Sequence, residues 1–257
     1  MGTFLFDKII FGPVKSRRLG VSLGINLLPN DSKYCTYDCV YCECGWTYKN
    51  HKAKLHSREE VYKALDLMLR QMLEEGNSPD NITFAGNGEP TVHPNFAGII
   101  DDTIKLRNQY FPKAQISVLS NATQVHKDSV MQALKKVDQN ILKLDTASDE
   151  LLRIINRPIA KLDVKTIVER LKRFKGDLTI QTMFIRGSYN NEYFDNSNPK
   201  EVAAWLELLK EIKAKKVMIY PIERDTPTSG LFKIPKDELE VIGEQVRSLG
   251  IETHVYT

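Results

Sequence analysis

Between residues 21 and 222, short apolar runs of strand length alternate with longer segments whose apolar residues recur at helical spacing, and that alternation leaves few folds open. VSLGINLLP (21–29), NITFAG (81–86), QISVLSNA (115–122), NILKLDT (140–146), DLTIQTMFIRG (177–187) and KVMIYPI (216–222) read as strands bounded by turn residues. SREEVYKALDLMLRQMLEEG (57–76) opens on a Ser cap with early acids and closes on Gly, so it is predicted to be a helix. Further helices are expected over 95–110, 128–137, 149–156, 163–174 and 199–214. Six strands with helices between them imply an α/β fold with a parallel sheet and right-handed crossovers. Periodicity fits an open doubly wound sheet and a closed or partial barrel equally, and either one puts the chemistry at the C-terminal ends of the strands. A segment over 1–20 and a last helix and strand within 235–256 flank this core. No repeat, low-complexity tract or linker interrupts it, so a single domain over 1–257 is expected.

With 257 residues, 42% of them hydrophobic and 27% charged, the chain is neither disordered nor fibrous. No apolar run approaches the roughly 18 to 20 residues of a membrane span, and the start lacks a basic region followed by a cleavage site, so a soluble cytoplasmic protein without membrane contact is expected. The 36 Lys and Arg against 33 Asp and Glu are too small a surplus for polyanion binding by bulk charge. Residues 1–56, however, hold 8 of the basic and only 4 of the acidic side chains. Arg17, Arg18, Lys49, Lys52 and Lys54 belong to that basic segment.

All four cysteines lie between 35 and 44. Cysteines crowded into one loop of a long chain point to a metal site rather than to a disulfide framework. Cys35, Cys39 and Cys42 have the spacing C-x3-C-x2-C directly after the first strand, on the rim where chemistry is expected. Structural zinc sites are normally closed by four ligands, whereas a four-iron cluster held by three cysteines keeps one iron open. Cys44 could close a small zinc knot as a fourth ligand, and that alternative stands beside the cluster on spacing alone.

The C-x3-C-x2-C run, with Tyr41 before its third Cys, resembles the signature of the radical S-adenosylmethionine (radical SAM) superfamily. Gly86-Asn87-Gly88-Glu89-Pro90 ends the second strand, where that superfamily has a GGE-type motif; Asn87 stands in a pattern that is often Gly-Gly. Leu119-Ser120-Asn121-Ala122 ends the third strand. More narrowly, FGPVKSRRLGVSLGINLLP before the cysteines and VYCECG after them look like a bacterial family related to the wyosine-type tRNA-modifying radical SAM proteins. The resemblance implies a partial (β/α)6 barrel over about 21–222, a [4Fe-4S] cluster on Cys35, Cys39 and Cys42, and S-adenosylmethionine (SAM) as second cofactor. It also implies that Gly86, Asn87, Gly88, Glu89 and Pro90 meet the amino group of SAM, that Ser120 and Asn121 meet its ribose, and that Tyr41 meets adenine.

In the fourth strand Ile141, Lys143 and Asp145 share one face, because side chains alternate. A Lys and an Asp on the barrel side are costly to bury without partners, so Lys143 is expected to contact the SAM carboxylate or substrate and Asp145 the ribose or amino group. The polar stretch 187–198, with Tyr189, Tyr193 and Phe194, reads as a long substrate loop. None of the five His residues, His51 among them, has ligand spacing.

Three functions fit. The first is a radical SAM enzyme that abstracts hydrogen from RNA or another large substrate, met by the basic N-terminal segment and the loop 187–198. A second is an activase that installs a glycyl radical on a partner enzyme, and a third is a non-enzymatic zinc or iron–sulfur module. Either radical reading implies a low-potential electron donor such as a flavodoxin or ferredoxin. Wyosine synthases carry further cysteines before the motif, and no Cys precedes Cys35 here.

Overall fold

The computed structural model describes residues 4–47 and 54–257. Lys49, His51 and Lys52 lie outside them. The chain divides into two compact units, one of Leu5–Cys35 and Thr47–Asn140, the other of Met1–Phe4, Thr36–Trp46 and Ile141–Thr257. No helix among the described residues is long and apolar enough to cross a membrane.

In the first unit, β1 (Ile10–Ser16) and β2 (Gly20–Ile25) form an antiparallel hairpin, and β3 (Asn81–Phe84) and β4 (Gln115–Ser120) continue the sheet in parallel in the order β1-β2-β3-β4. The helices are α1 (Arg58–Glu74), α2 (Phe96–Tyr110) and α3 (Asp128–Lys136). α1 begins where its sequence demands. Ser57 accepts from the Glu60 backbone N–H at 3.2 Å, while the Glu60 carboxylate accepts from the Ser57 N–H at 2.7 Å, a reciprocal capping box. Val61, Leu65, Leu69 and Met72 form its buried stripe. The strands contribute Leu23, Ile25, Ile82, Phe84, Ile116 and Val118, all fully buried. β1 is an addition to the expected strands, since most of it is exposed and its sequence carries no alternating apolar pattern.

In the second unit, β5 (Gln139–Lys143, which starts at the boundary), β6 (Thr179–Met183), β9 (Lys216–Tyr220) and β11 (Glu252–Val255) are parallel in the order β5-β6-β9-β11. α4 (Asp149–Leu151) runs into a π-helical turn, Leu152–Asn156, and is followed by α5 (Val164–Lys172), α6 (Pro199–Ile212) and α7 (Lys236–Arg247). Trp205 of α6 sits edge-on against Phe184 at 5.3 Å in the core.

The expected long strand 177–187 is two strands, and the expected loop 187–198 is a hairpin. β7 (Ile185–Tyr189) turns back on β8 (Glu192–Asp195), with β10 (Leu231–Lys233) on the other side of β7. Buried Asn196 supplies the reason. Its side chain accepts from Ile185 N–H at 2.7 Å and donates to the carbonyls of Asp145 and Met183 at 2.7 and 2.8 Å. One amide thus satisfies the backbone groups that a continuing ladder would have paired. Apart from these changes the α/β class with a parallel sheet is as the alternation implied.

Candidate active site

In the first unit, the segment leading to Cys35 is fixed by the turn after β3. Tyr34 N–H donates to Asn87 O at 2.8 Å, and Glu89 N–H donates to Tyr34 O at 3.1 Å. That approach leaves no room for a side chain on the turn: a Cβ at Gly88 (φ 139°) would lie 1.9 Å from the Tyr34 carbonyl oxygen. At Gly86 (φ 146°) it would lie 2.5 Å from the Asn26 side-chain oxygen. Asn87 is buried, and its side chain is fully used within the protein. It accepts from Phe6 N–H at 2.9 Å and donates to the carbonyls of Phe6 and Pro29 at 2.9 and 2.7 Å.

Glu89, also buried, caps the 3-10 turn Pro90–Val92 and ties it to the end of β4. Its carboxylate accepts from Thr91 N–H at 3.1 Å, from the Thr91 hydroxyl, from the Ser120 hydroxyl at 2.8 Å and from Asn121 N–H at 2.7 Å. Burial pushes the Glu89 carboxyl above the ordinary glutamate range, against the pull of those donors. Asn121 in turn donates its side-chain amide to Cys35 Sγ at 3.7 Å. The turn, Ser120, Asn121 and Cys35 are therefore one hydrogen-bonded group at the C-terminal ends of β3 and β4.

Arg17 and Arg18 are elsewhere. They lie in the β1–β2 turn, and Arg18 lines a cleft with Asp80, Tyr110, Lys113 and Gln115 at the N-terminal ends of β2 to β4. The expected rim position does not hold for them, because the hairpin places its turn at the start of β2.

In the second unit, the cysteine loop docks on the π-turn and the residues after it. Asp38 N–H donates to the carbonyls of Asn156 and Arg157, Val40 N–H to Ile155 O at 2.9 Å, and Ile159 N–H to Thr36 O at 3.0 Å. This holds Tyr41 beside the end of β5. Lys143 Nζ donates to the Tyr41 hydroxyl at 2.7 Å and lies 3.4 Å from Asp145 Oδ2; the Tyr41 hydroxyl donates to the same carboxylate oxygen. Asn156 adds a donor to Asp145 Oδ2 at 2.7 Å, and Met183 N–H donates to Oδ1 at 3.0 Å. Burial works against the Lys143 ammonium, but Asp145, with Tyr220 and Cys39, outweighs it and holds the ammonium protonated. Burial, with Asp145 next, pushes the Tyr41 phenol well above its ordinary value. The three form a fixed Lys–Tyr–Asp cluster at the strand end.

None of the four cysteines is in a disulfide; Cys39 is buried and Cys35, Cys42 and Cys44 are half-buried. Among the described residues no three Cys, His, Asp or Glu side chains gather as the shell of a single metal ion. A cubane makes no such demand, because each of its three thiolates binds a different iron. The donor chemistry fits a cluster: reduced thiols, two of them accepting amide N–H bonds, Cys35 from Asn121 and Cys39 from Asn156 at 3.6 Å. Asn156 and Asn196 carry no motif, and sequence reasoning missed them; Asn26 lies within the string 11–29 but is given no role there.

The model of the Radical SAM superfamily matches residues 30–197, a span that holds the four cysteines, the Gly86–Pro90 turn, Ser120, Asn121, Lys143, Asp145 and Asn156. The chain belongs to the radical SAM superfamily. It is an enzyme of the radical SAM type, whose cofactors are a [4Fe-4S] cluster and SAM. Among its relatives is the UPF0026 protein of Methanocaldococcus jannaschii, 32% identical over 94% of this chain and 75% of that protein. A tRNA-2-methylthio-N(6)-dimethylallyladenosine synthase of Aeromonas salmonicida is 25% identical over 76% of this chain and 39% of that one. A radical SAM methyltransferase from Sphaerobacter thermophilus shares the fold, with TM-score 0.67 and 14% identity over 91% of this chain and 66% of that one. So does archaeal TYW1, with TM-score 0.55 and 15% identity over 88% and 71%. The radical SAM chain thus spans about two thirds to three quarters of the length of most of these proteins.

Proposed function

We propose that this chain holds a [4Fe-4S] cluster on Cys35, Cys39 and Cys42 and acts on RNA. The superfamily match over residues 30–197, which brackets the cysteine spacing, carries the first part. When bound, the cluster and SAM supply a one-electron cleavage that yields methionine and a 5′-deoxyadenosyl radical for hydrogen abstraction. The chain's own residues bind and orient. The Gly86–Pro90 turn sets the segment before Cys35 and offers its backbone to the SAM amino group, while Ser120 and Asn121 lie next to it. Lys143, held as an ammonium by Asp145, is a fixed positive charge for a carboxylate, and Tyr41 keeps that pair in place beside the cysteine loop. A low-potential flavodoxin or ferredoxin is the electron donor.

RNA as substrate is supported by the tRNA-modifying relative. The test is anaerobic reconstitution with a strong reductant, scoring 5′-deoxyadenosine with and without added tRNA, followed by analysis of the tRNA nucleosides. Cys39→Ala is expected to abolish SAM cleavage, and full cleavage in that variant refutes the cluster assignment. An unaltered tRNA pool alongside active cleavage removes RNA and favours a protein substrate, such as a glycyl-radical enzyme.

A further inference from the structure

We infer that Asn121 and Asn156 are potential-setting partners of the cluster, through amide hydrogen bonds to the sulfurs of Cys35 and Cys39. The inference rests on the cluster assignment proposed above. The two contacts are 3.7 and 3.6 Å long, within reach for a sulfur acceptor, and both asparagines are buried, Asn156 to 1% exposure and Asn121 to 5%.

The orientation of each amide is fixed by its other partners. Asn121 Oδ1 accepts from Thr123 N–H at 3.1 Å and from the Thr123 hydroxyl at 2.8 Å, so the atom turned toward Cys35 is the nitrogen. Asn156 donates to Asp145 Oδ2 at 2.7 Å, and a carboxylate only accepts, so the same nitrogen is the one that reaches Cys39. Asn121 follows the end of β4, and Asn156 closes the π-turn on which the cysteine loop docks.

An N–H aimed at a thiolate draws electron density from it. The reduced cluster carries one more negative charge than the oxidised one, so it gains more from each bond, and both bonds raise the reduction potential. One electron enters from the donor; no bond forms or breaks, and no proton moves in this step. At the buried Asn156–Cys39 contact water cannot replace a lost amide, so deletion is felt most there.

Asn121→Leu and Asn156→Leu, reconstituted anaerobically, are each expected to keep iron and sulfide content while the midpoint potential, followed by EPR in a redox titration without SAM or substrate, becomes more negative. The expected size is about a tenfold change in the reduced-to-oxidised ratio at fixed poise, or about 59 mV for one electron. Thr123→Val, which removes only the hydroxyl behind Asn121, is expected to leave the potential close to wild type. An unchanged or less negative potential in both Leu variants at full cluster content overturns the inference. Should the Leu variants assemble too little cluster, resonance Raman spectra of the unmutated protein decide. Exchange into D2O is expected to shift the Fe–S(Cys) stretching bands, and bands that do not move overturn the hydrogen bonds. A wild-type protein that takes up no four-iron cluster would instead remove the assignment on which the inference rests.

Discussion

Asn87 stands where many radical SAM proteins have glycine, and its side chain does structural work that a glycine cannot. Its three hydrogen bonds, at 2.7 to 2.9 Å, join the turn after β3 to Phe6 and to Pro29. Asn87→Ala deletes all three and leaves one N–H and two carbonyls without that partner. At about 0.5 to 1.5 kcal/mol net for each bond, the three amount to about 1.5 to 4.5 kcal/mol, and partial recovery by water at the part-buried Phe6 end brings the expected loss to about 1 to 4 kcal/mol. Urea denaturation of the cluster-free protein, followed by circular dichroism at constant m, measures it. Limited proteolysis adds a local readout, because the stretch around Phe6 loses its anchor and is expected to be cut sooner. A change below about 0.5 kcal/mol, accompanied by a loss of SAM affinity in the folded variant, would refute the clamp and place Asn87 on the cofactor.

Two further outcomes follow from the same side chains. Glu89 has a carboxyl raised by burial, so folding favours its protonated form; its contribution to stability is fully present below about pH 4.3, the ordinary glutamate value, and is lost as pH rises through the raised value. Glu89→Gln removes that dependence, so wild-type stability minus that of the variant, from urea titrations across this window, is expected to fall by at most about 1.4 kcal/mol per pH unit; a difference that climbs with pH would show that the four donors, not burial, dominate. Cys44→Ala is expected to retain iron, sulfide and most SAM cleavage after reconstitution, since a fourth thiolate would close the position SAM needs, and loss of cluster assembly would reverse that assignment.

Elements whose determinants are local could be read from the sequence. α1 is one: the Ser57–Glu60 box and the stripe Val61, Leu65, Leu69, Met72 lie within one segment. The break between β6 and β7 is the opposite case. TIQTMFI holds no Gly, Pro or other turn residue to mark a break, and the residue that bends it, Asn196, acts on it from across a hairpin. The site divides along the same line. The cysteines and the Gly86–Pro90 and Ser120–Asn121 strings stand out as strings, while Asn156 reaches Cys39 across 117 residues of chain from the last position of a stretch that reads as an ordinary helix. Nothing in its neighbours marks it. Arg17 and Arg18 show a further limit: charge can be counted along a sequence, but the end of a strand on which a hairpin leaves it is settled by pairing.

The turn Gly86–Pro90, proposed above to meet SAM, also acts on the segment that carries Cys35. Gly88 has no Cβ, and that absence is what allows the Tyr34 carbonyl to approach; Tyr34 immediately precedes Cys35. Glu89 in turn carries the backbone of Asn121, whose amide faces the Cys35 sulfur. Any side chain at 88 would therefore displace the first cysteine before it met a cofactor. Weak SAM binding in a Gly88 variant is then ambiguous, because the same substitution loosens the loop that carries the cluster. The two effects separate on iron content. A variant with a full cluster and weak SAM binding has lost a contact, whereas one with a depleted cluster has lost the alignment of Tyr34 on the turn. By this argument a glycine-rich signature at a strand end is constrained twice, by the ligand on one side and by a neighbouring backbone on the other.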